Sequence, residues 1–294
     1  MQALLAEYRR SLKLREAEEL LDLYFYRPAG FLLVKGIYRM PITPNGVTLL
    51  SLAAGLIAAW LISTSSFAAA AAWYVAANIL DCSDGQLARL QKSGTPLGRL
   101  VDGVADYVSS VAIFLACGIS LAQGNPFGWW LVVAGGISSA VHAFYFDFYQ
   151  GEFITTVRGE DNFLERELAR FTSSTGEDRA AHSGFAGFFI RPYVGYLKLQ
   201  KRAAPKQLAG EFDPDRYLTI GGPLIRAWSF LGPTTNRSLL IVCALAGRID
   251  LFLWCVVTFG NIWLVICIVR QRGLERLLSA EAGVGRTPSE IQNR

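Results

Sequence analysis

Apolar residues in this chain fall into long uninterrupted blocks. No Asp, Glu, Lys or Arg occurs from Met40 to Leu80, and none from Tyr107 to Phe146. A third block, Ser238 to Val269, is broken only by Arg248 and Asp250. A membrane-spanning helix needs about 20 apolar residues, so each block has room for two spans and a short turn. The turns are visible as polar clusters: Ile62-Ser63-Thr64-Ser65-Ser66, Gln123-Gly124-Asn125-Pro126 and Gly247-Arg248-Ile249-Asp250. The pattern predicts an all-α integral membrane protein with six transmembrane helices.

The polar remainder divides the chain further. Residues 1–40 mix charges with Leu4, Leu5, Leu12, Leu14, Leu20 and Leu21, which predicts a helical amphipathic juxtamembrane segment lying along the membrane surface. Its recurring charges and short apolar run do not match a cleavable signal peptide. Residues 41–147 hold spans one to four, and 234–272 hold spans five and six. Between them, 148–233 is too polar to span and too long for a simple loop. Helical pieces are expected there at Asn162 to Phe171, Phe188 to Arg202 and Leu224 to Phe230, making a small cytoplasmic subdomain. Residues 273–294 form a tail.

Charge adds an orientation. The chain is 52% hydrophobic and 18% charged, with a mean hydropathy of +0.31, against about 25% charged in soluble domains. Cations gather before the first span (Arg9, Arg10, Lys13, Arg15, Arg27, Lys35, Arg39), between spans two and three (Arg89, Lys92, Arg99), and after span six (Arg270, Arg272, Arg276). Of the presumed outer turns, only one carries a cation, Arg248. Both termini are therefore expected in the cytoplasm, at the inner membrane if the source is bacterial. The net charge of +4 reflects this topology and contact with membrane lipids, and calls for no nucleic acid. Cys82, Cys117, Cys243, Cys255 and Cys267 lie in or beside spans with no CxxC pair, and read as reduced packing residues.

One constellation carries chemistry. At the end of span two the sequence runs Asp81-Cys82-Ser83-Asp84-Gly85-Gln86-Leu87-Ala88-Arg89, and Gly98, Asp102 and Asp106 follow. Spacings of three and four put each Asp pair on one helix face. Side by side, the two helices would converge four carboxylates at the cytoplasmic boundary. Such a cluster repels itself and loses solvation, so it needs a neutralising partner. Mg²⁺ or Mn²⁺, with their preference for oxygen ligands, would serve. Two ions would make a clamp for attack at phosphorus.

The run Asp81-x2-Asp84-Gly85-x2-Ala88-Arg89-x8-Gly98-x3-Asp102-x3-Asp106 resembles the complete signature of the CDP-alcohol phosphotransferase family. Pro44-Asn45-Gly46-Val47-Thr48 is similar to that family's entry to span one. The resemblance implies that Asp81, Asp84, Asp102 and Asp106 bind metal, and that Asp106 also deprotonates an acceptor hydroxyl. It implies that Gly85 admits the nucleotide to the backbone and that Arg89 pairs with a phosphate. Thr95 and Asn45 would lie at the CDP end. The implied reaction moves a phosphoalcohol from a CDP-linked donor, first among them CDP-diacylglycerol, to an alcohol acceptor with release of CMP. Inositol, inositol phosphate and glycerol phosphate are the first acceptors, and a CDP-polyol or CDP-aminoalcohol donor is the alternative. Similar enzymes are homodimers, and a homodimer is expected here.

Two other classes fit less well. A membrane prenyltransferase would carry two Asp-rich motifs on well-separated helices. An ion transporter would place carboxylates near mid-bilayer on broken helices. His142 and His182 are expected to be structural or solvated. The insertion's cations, Arg191, Lys198, Lys201, Arg202 and Lys206, are expected to form a solvated face.

Overall fold

The computed structural model describes residues 2–122, 128–160, 163–172, 185–203 and 214–284, and these are helical with no strand among them. The helices are α1 (Gln2–Ser11), α2 (Arg27–Ile37), α3 (Pro44–Ser63), α4 (Phe67–Gln91), α5 (Pro96–Ala122), α6 (Gly128–Val157), α7 (Phe163–Thr172), α8 (Phe185–Ala203), α9 (Pro214–Trp228), α10 (Pro233–Leu245), α11 (Ile249–Cys255) and α12 (Asn261–Val284). A π-turn, Val256–Gly260, joins the last two.

Among the described residues, four segments are long and apolar enough to cross a membrane: Pro44–Ser63, Leu97–Ala122, Gly128–Val157 and Ile249–Leu278. Helices of this kind mark an integral membrane protein. The six-span expectation is thus met by four. Of the other two segments, α4 has 25 residues but carries Asn78, Asp81 and Asp84 in its C-terminal half. Helix α10 has 13 residues, about 20 Å at 1.5 Å per residue.

The chain divides into two compact units. The first comprises Met1–Ala143 and Ser229–Asn261. Its core is built from small residues: Ala54, Ala58 and Ala59 of α3, and Ala70, Ala71 and Ala77 of α4, with Ile113, Cys117, Leu240 and Leu253. Small side chains let helices approach closely. Gly55 is a case in point, since a Cβ there would run into the Ser109 hydroxyl of α5. The five cysteines are free, and all but Cys255 are buried. His142 is buried, and its Nε2 lies 3.0 Å from Asn261 Oδ1. His182 lies outside the described residues.

The start of this unit departs from the sequence reading. A helix was expected throughout residues 1–40, but α1 ends at Ser11 and the chain is irregular to Glu19. The break lets buried acids turn inward. Glu18 accepts from Lys13 N at 3.0 Å and pairs with Arg27 at 2.9 Å. Glu19 reaches the start of α10, where its two oxygens accept from Thr234 N (3.1 Å), Thr235 N (2.8 Å) and Thr235 Oγ1 (2.9 Å). The N-cap of α10 is Gly232, which has no side chain to satisfy those donors. Glu19 therefore caps the helix from 215 residues away. A Cβ on Gly232 would collide with its carboxyl group.

The second unit comprises Phe144–Trp228 and Ile262–Arg294. The expected pieces of the insertion appear as α7, α8 and α9. Helix α7 packs on α8, and Lys201 pairs with Glu165 at 3.2 Å on the surface. Arg191, Lys198 and Arg202 are exposed; Lys206 lies outside the described residues. Helix α9 is longer than read, because Tyr217, Gly221, Ile225 and Trp228 share one buried face. That face holds the helix through Gly221-Gly222-Pro223, a run that reads locally as a breaker.

Candidate active site

Two helix starts shape the site. In Thr43-Pro44-Asn45-Gly46, the Thr43 hydroxyl accepts from Gly46 N at 3.2 Å at the head of α3. In Thr95-Pro96-Leu97-Gly98, Thr95 Oγ1 accepts from Gly98 N at 2.9 Å at the head of α5. Each is a threonine cap followed by proline at the first helical position, where the missing N–H costs nothing. Helix α4 ends between them. Lys92 takes a left-handed conformation (φ 53°), and Ser93 N closes on Ala88 O at 3.0 Å. Helix α3 packs on both α4 and α5.

The carboxylates meet there. Oxygens of Asp81, Asp102 and Asp106 lie within 4.8 Å of one another, all partly exposed. Asp84 is turned to α3, where it accepts from Thr48 Oγ1 at 2.6 Å in a buried bond. Three of the four predicted carboxylates are therefore grouped, and the fourth is pinned beside them. Clustered carboxylate oxygens are what Mg²⁺ or Mn²⁺ take as ligands, so the residues present fit a divalent ion.

The other predicted residues are also placed. Asn45 and Thr95 converge on Gly98, where a Cβ would stand 3.2 Å from Asn45 Oδ1 and 3.1 Å from Thr95 Oγ1. The hydroxyl of Thr95 is engaged as a cap. Arg89 does not stand free: its Nε donates to Ser11 O at 2.5 Å, and its Nη2 is buried without a hydrogen-bond partner. Its guanidinium covers the bare face of Gly85, with Nη1 3.3 Å from where a Cβ would be. The face read as open to a nucleotide is filled by this arginine.

The sequence reading missed Arg237. This residue of α10 reaches the carboxylate cluster. Its Nη2 lies 2.6 Å from Asp106 Oδ1, and its Nη1 lies 3.1 Å from Asp81 Oδ2 and 3.2 Å from Asn78 Oδ1. Thr48 and Asn78 were missed as well. Arg237 did leave a signal: it is a single cation at the edge of an apolar block, in a protein whose acid cluster needs a neutralising charge.

Residues 41–153 match the family described as CDP-alcohol phosphatidyltransferase. The curated relatives include proteins of Mycobacterium bovis and Mycobacterium tuberculosis named CDP-diacylglycerol–serine O-phosphatidyltransferase. Each is 35% identical over 96 residues, covering 32% of this chain and 34% of the relative. The chain thus spans about a third of the length of these relatives. Family description and relatives' names are both those of transferases of phosphate-containing groups. The matched segment contains every predicted site residue; Glu19 and Arg237 lie outside it.

Proposed function

We propose that this protein transfers a phosphatidyl group from CDP-diacylglycerol to the hydroxyl of a small alcohol, releasing CMP, with two divalent ions held by Asp81, Asp84, Asp102 and Asp106. The observation that carries the reading is the meeting of Asp81, Asp102 and Asp106 at the junction of α4 and α5, within a segment of the matching family. Serine joins inositol, inositol phosphate and glycerol phosphate as an acceptor to test, because it appears in the relatives' names.

Bound Mg²⁺ or Mn²⁺ would supply positive charge against the phosphates of the donor. The chain's own residues do the rest. Asp106 takes the proton of the acceptor hydroxyl. The acceptor oxygen then forms a bond to the phosphorus distal to cytidine, and the bond from that phosphorus to the CMP oxygen breaks, so CMP leaves with the electron pair. Thr48 holds Asp84 in place through its short hydrogen bond. Gly98 keeps the space between Asn45 and Thr95 clear for the cytidine end.

The topology belongs to the same proposal. Six spans result if α4 and α10 cross the membrane with the four longer helices. In that arrangement residues 1–40 lie on the cytoplasmic surface, both termini and the site face the cytoplasm, and the protein pairs as a homodimer. The close packing of α4 on α3 supports its crossing.

The test is CMP release by the purified protein with Mg²⁺ or Mn²⁺, given CDP-diacylglycerol and the acceptor panel. CMP formed with one acceptor establishes the reaction and its substrate. CMP formed only from a CDP-polyol or CDP-aminoalcohol replaces the donor. Release of inorganic pyrophosphate from a prenyl donor overturns the class.

A further inference from the structure

Arg237 occupies an unusual position for a residue near a metal site. It does not stand beside the carboxylates at a distance; its guanidinium bridges two of them, contacting Asp106 at 2.6 Å and Asp81 at 3.1 Å. These two acids belong to the trio whose oxygens could share an ion. The arginine side chain is 10% exposed, against 23% for Asp81 and 38% for Asp106. The guanidinium is thus the most buried of the three groups. A neutral group is bonded as well, the Asn78 side-chain oxygen one turn before Asp81.

A divalent ion bound to Asp81 and Asp106 would meet this guanidinium within a few ångströms. Like charges this close repel one another strongly, and a dication repels a guanidinium twice as strongly as a monocation would. The same carboxylate oxygens cannot serve both cations fully. Taken without the arginine, the acids repel one another and lack a counter-charge. One group therefore answers both conditions.

We propose that Arg237 is a resident counter-cation of the acid cluster, parked between Asp81 and Asp106 while the site holds no metal and displaced from them when a divalent ion binds. The proposal rests on the reading that these carboxylates hold divalent ions. It makes metal binding an exchange: the ion takes the carboxylates, and the guanidinium gives them up. Arg237 is then a positioning residue that occupies Asp81 and Asp106 until the ion takes its place. Its planar fork suits the task, because two parallel donors can bridge two acids where a lysine ammonium offers a point charge.

The experiment measures Mn²⁺ binding by electron paramagnetic resonance, and thermal unfolding with and without Mn²⁺, in the purified full chain and in Arg237→Gln and Arg237→Lys. Arg237→Gln is expected to bind Mn²⁺ at least about tenfold tighter than the parent, a change of about 1.4 kcal/mol. Arg237→Lys, which keeps the charge but loses the fork, is expected to bind a few-fold tighter. Without metal, Arg237→Gln should unfold at a lower temperature, and saturating Mn²⁺ should close most of that gap. Unchanged or weaker Mn²⁺ binding in both variants overturns the proposal. So does a stability loss that Mn²⁺ leaves intact, since that would make Arg237 a structural tie alone. Neither measurement depends on CMP release, so failure of the proposed reaction would be seen separately.

Discussion

The first unit contains two acid clusters, and they are treated in opposite ways. Asp81, Asp102 and Asp106 remain partly exposed, with Arg237 bridging two of them. Glu18, Glu19 and Asp22 are buried, and the two glutamates are tied to fixed partners: Glu18 to Arg27, Glu19 to the N-terminus of α10. Burial works against ionisation of Glu18, yet Arg27 and Lys13 hold its pKa below the ordinary value. Burial and the neighbouring Asp22 push Glu19 up to about 8, against the pull of its donors in α10. The contrast separates two uses of buried charge. Acids saturated by immovable donors hold the fold together; acids left open with one side chain that can swing away are available for chemistry.

Four substitutions test this contrast, beginning with the largest effect. Asp106→Asn should lower CMP release by about 10²–10⁴-fold, the usual worth of a positioned base, while the unfolding temperature changes little. Near-normal turnover would remove Asp106 from the base role. Arg27→Met should do the reverse. It leaves Glu18 buried without its guanidinium partner, at a cost of about 3–5 kcal/mol in urea unfolding, with Mn²⁺ affinity close to that of the parent. Gly232→Ala should cost about 1–3 kcal/mol, because the new methyl group displaces the Glu19 carboxyl from its cap. A neutral result there would show that Glu19 does not hold α10.

The smallest effect is a pH dependence. Glu19 in the folded chain keeps its proton up to about pH 8, whereas its ordinary value is 4.5. Between those values the folded state binds a proton that the unfolded state has released, so stability from this residue falls as pH rises. It is fully present below about pH 4.5 and lost through pH 8. Chemical unfolding at pH 5 and pH 8 should show a shallower difference in Glu19→Gln than in the parent. An identical slope in the two proteins would assign the pH dependence to other groups.

Much of the acid site could be read in advance because its information is local. Asp81 and Asp84 share a helix, as do Asp102 and Asp106, and the polar turn between them is short. The apolar blocks likewise announce α3, α5, α6 and the α11–α12 segment. Arg237 escaped because its partners lie more than 130 residues away in sequence, 156 in the case of Asp81, and nothing beside it in the chain marks the pairing. Arg89 shows the same limit in reverse: the residue stands in the motif, but Ser11 O, 78 positions earlier, decides where its guanidinium points. The early end of α1 and the length of α9 have a similar origin. In each, tertiary partners of Glu18, Glu19 or Trp228 outweigh the local preference of the segment.

The tie between Arg237 and Asp106 also bears on the order in which the chain is made. Roughly 130 residues separate the two positions, so at about 5–20 residues per second the α4–α5 hairpin leaves the ribosome on the order of ten seconds before its arginine. During that interval the nascent hairpin carries its carboxylates with no guanidinium to match them. Glu19 waits longer still, because 215 residues separate it from Thr234 at the start of α10. Arrival of this one short helix therefore completes both acid clusters at once, and the first unit closes late in synthesis, from its C-terminal side.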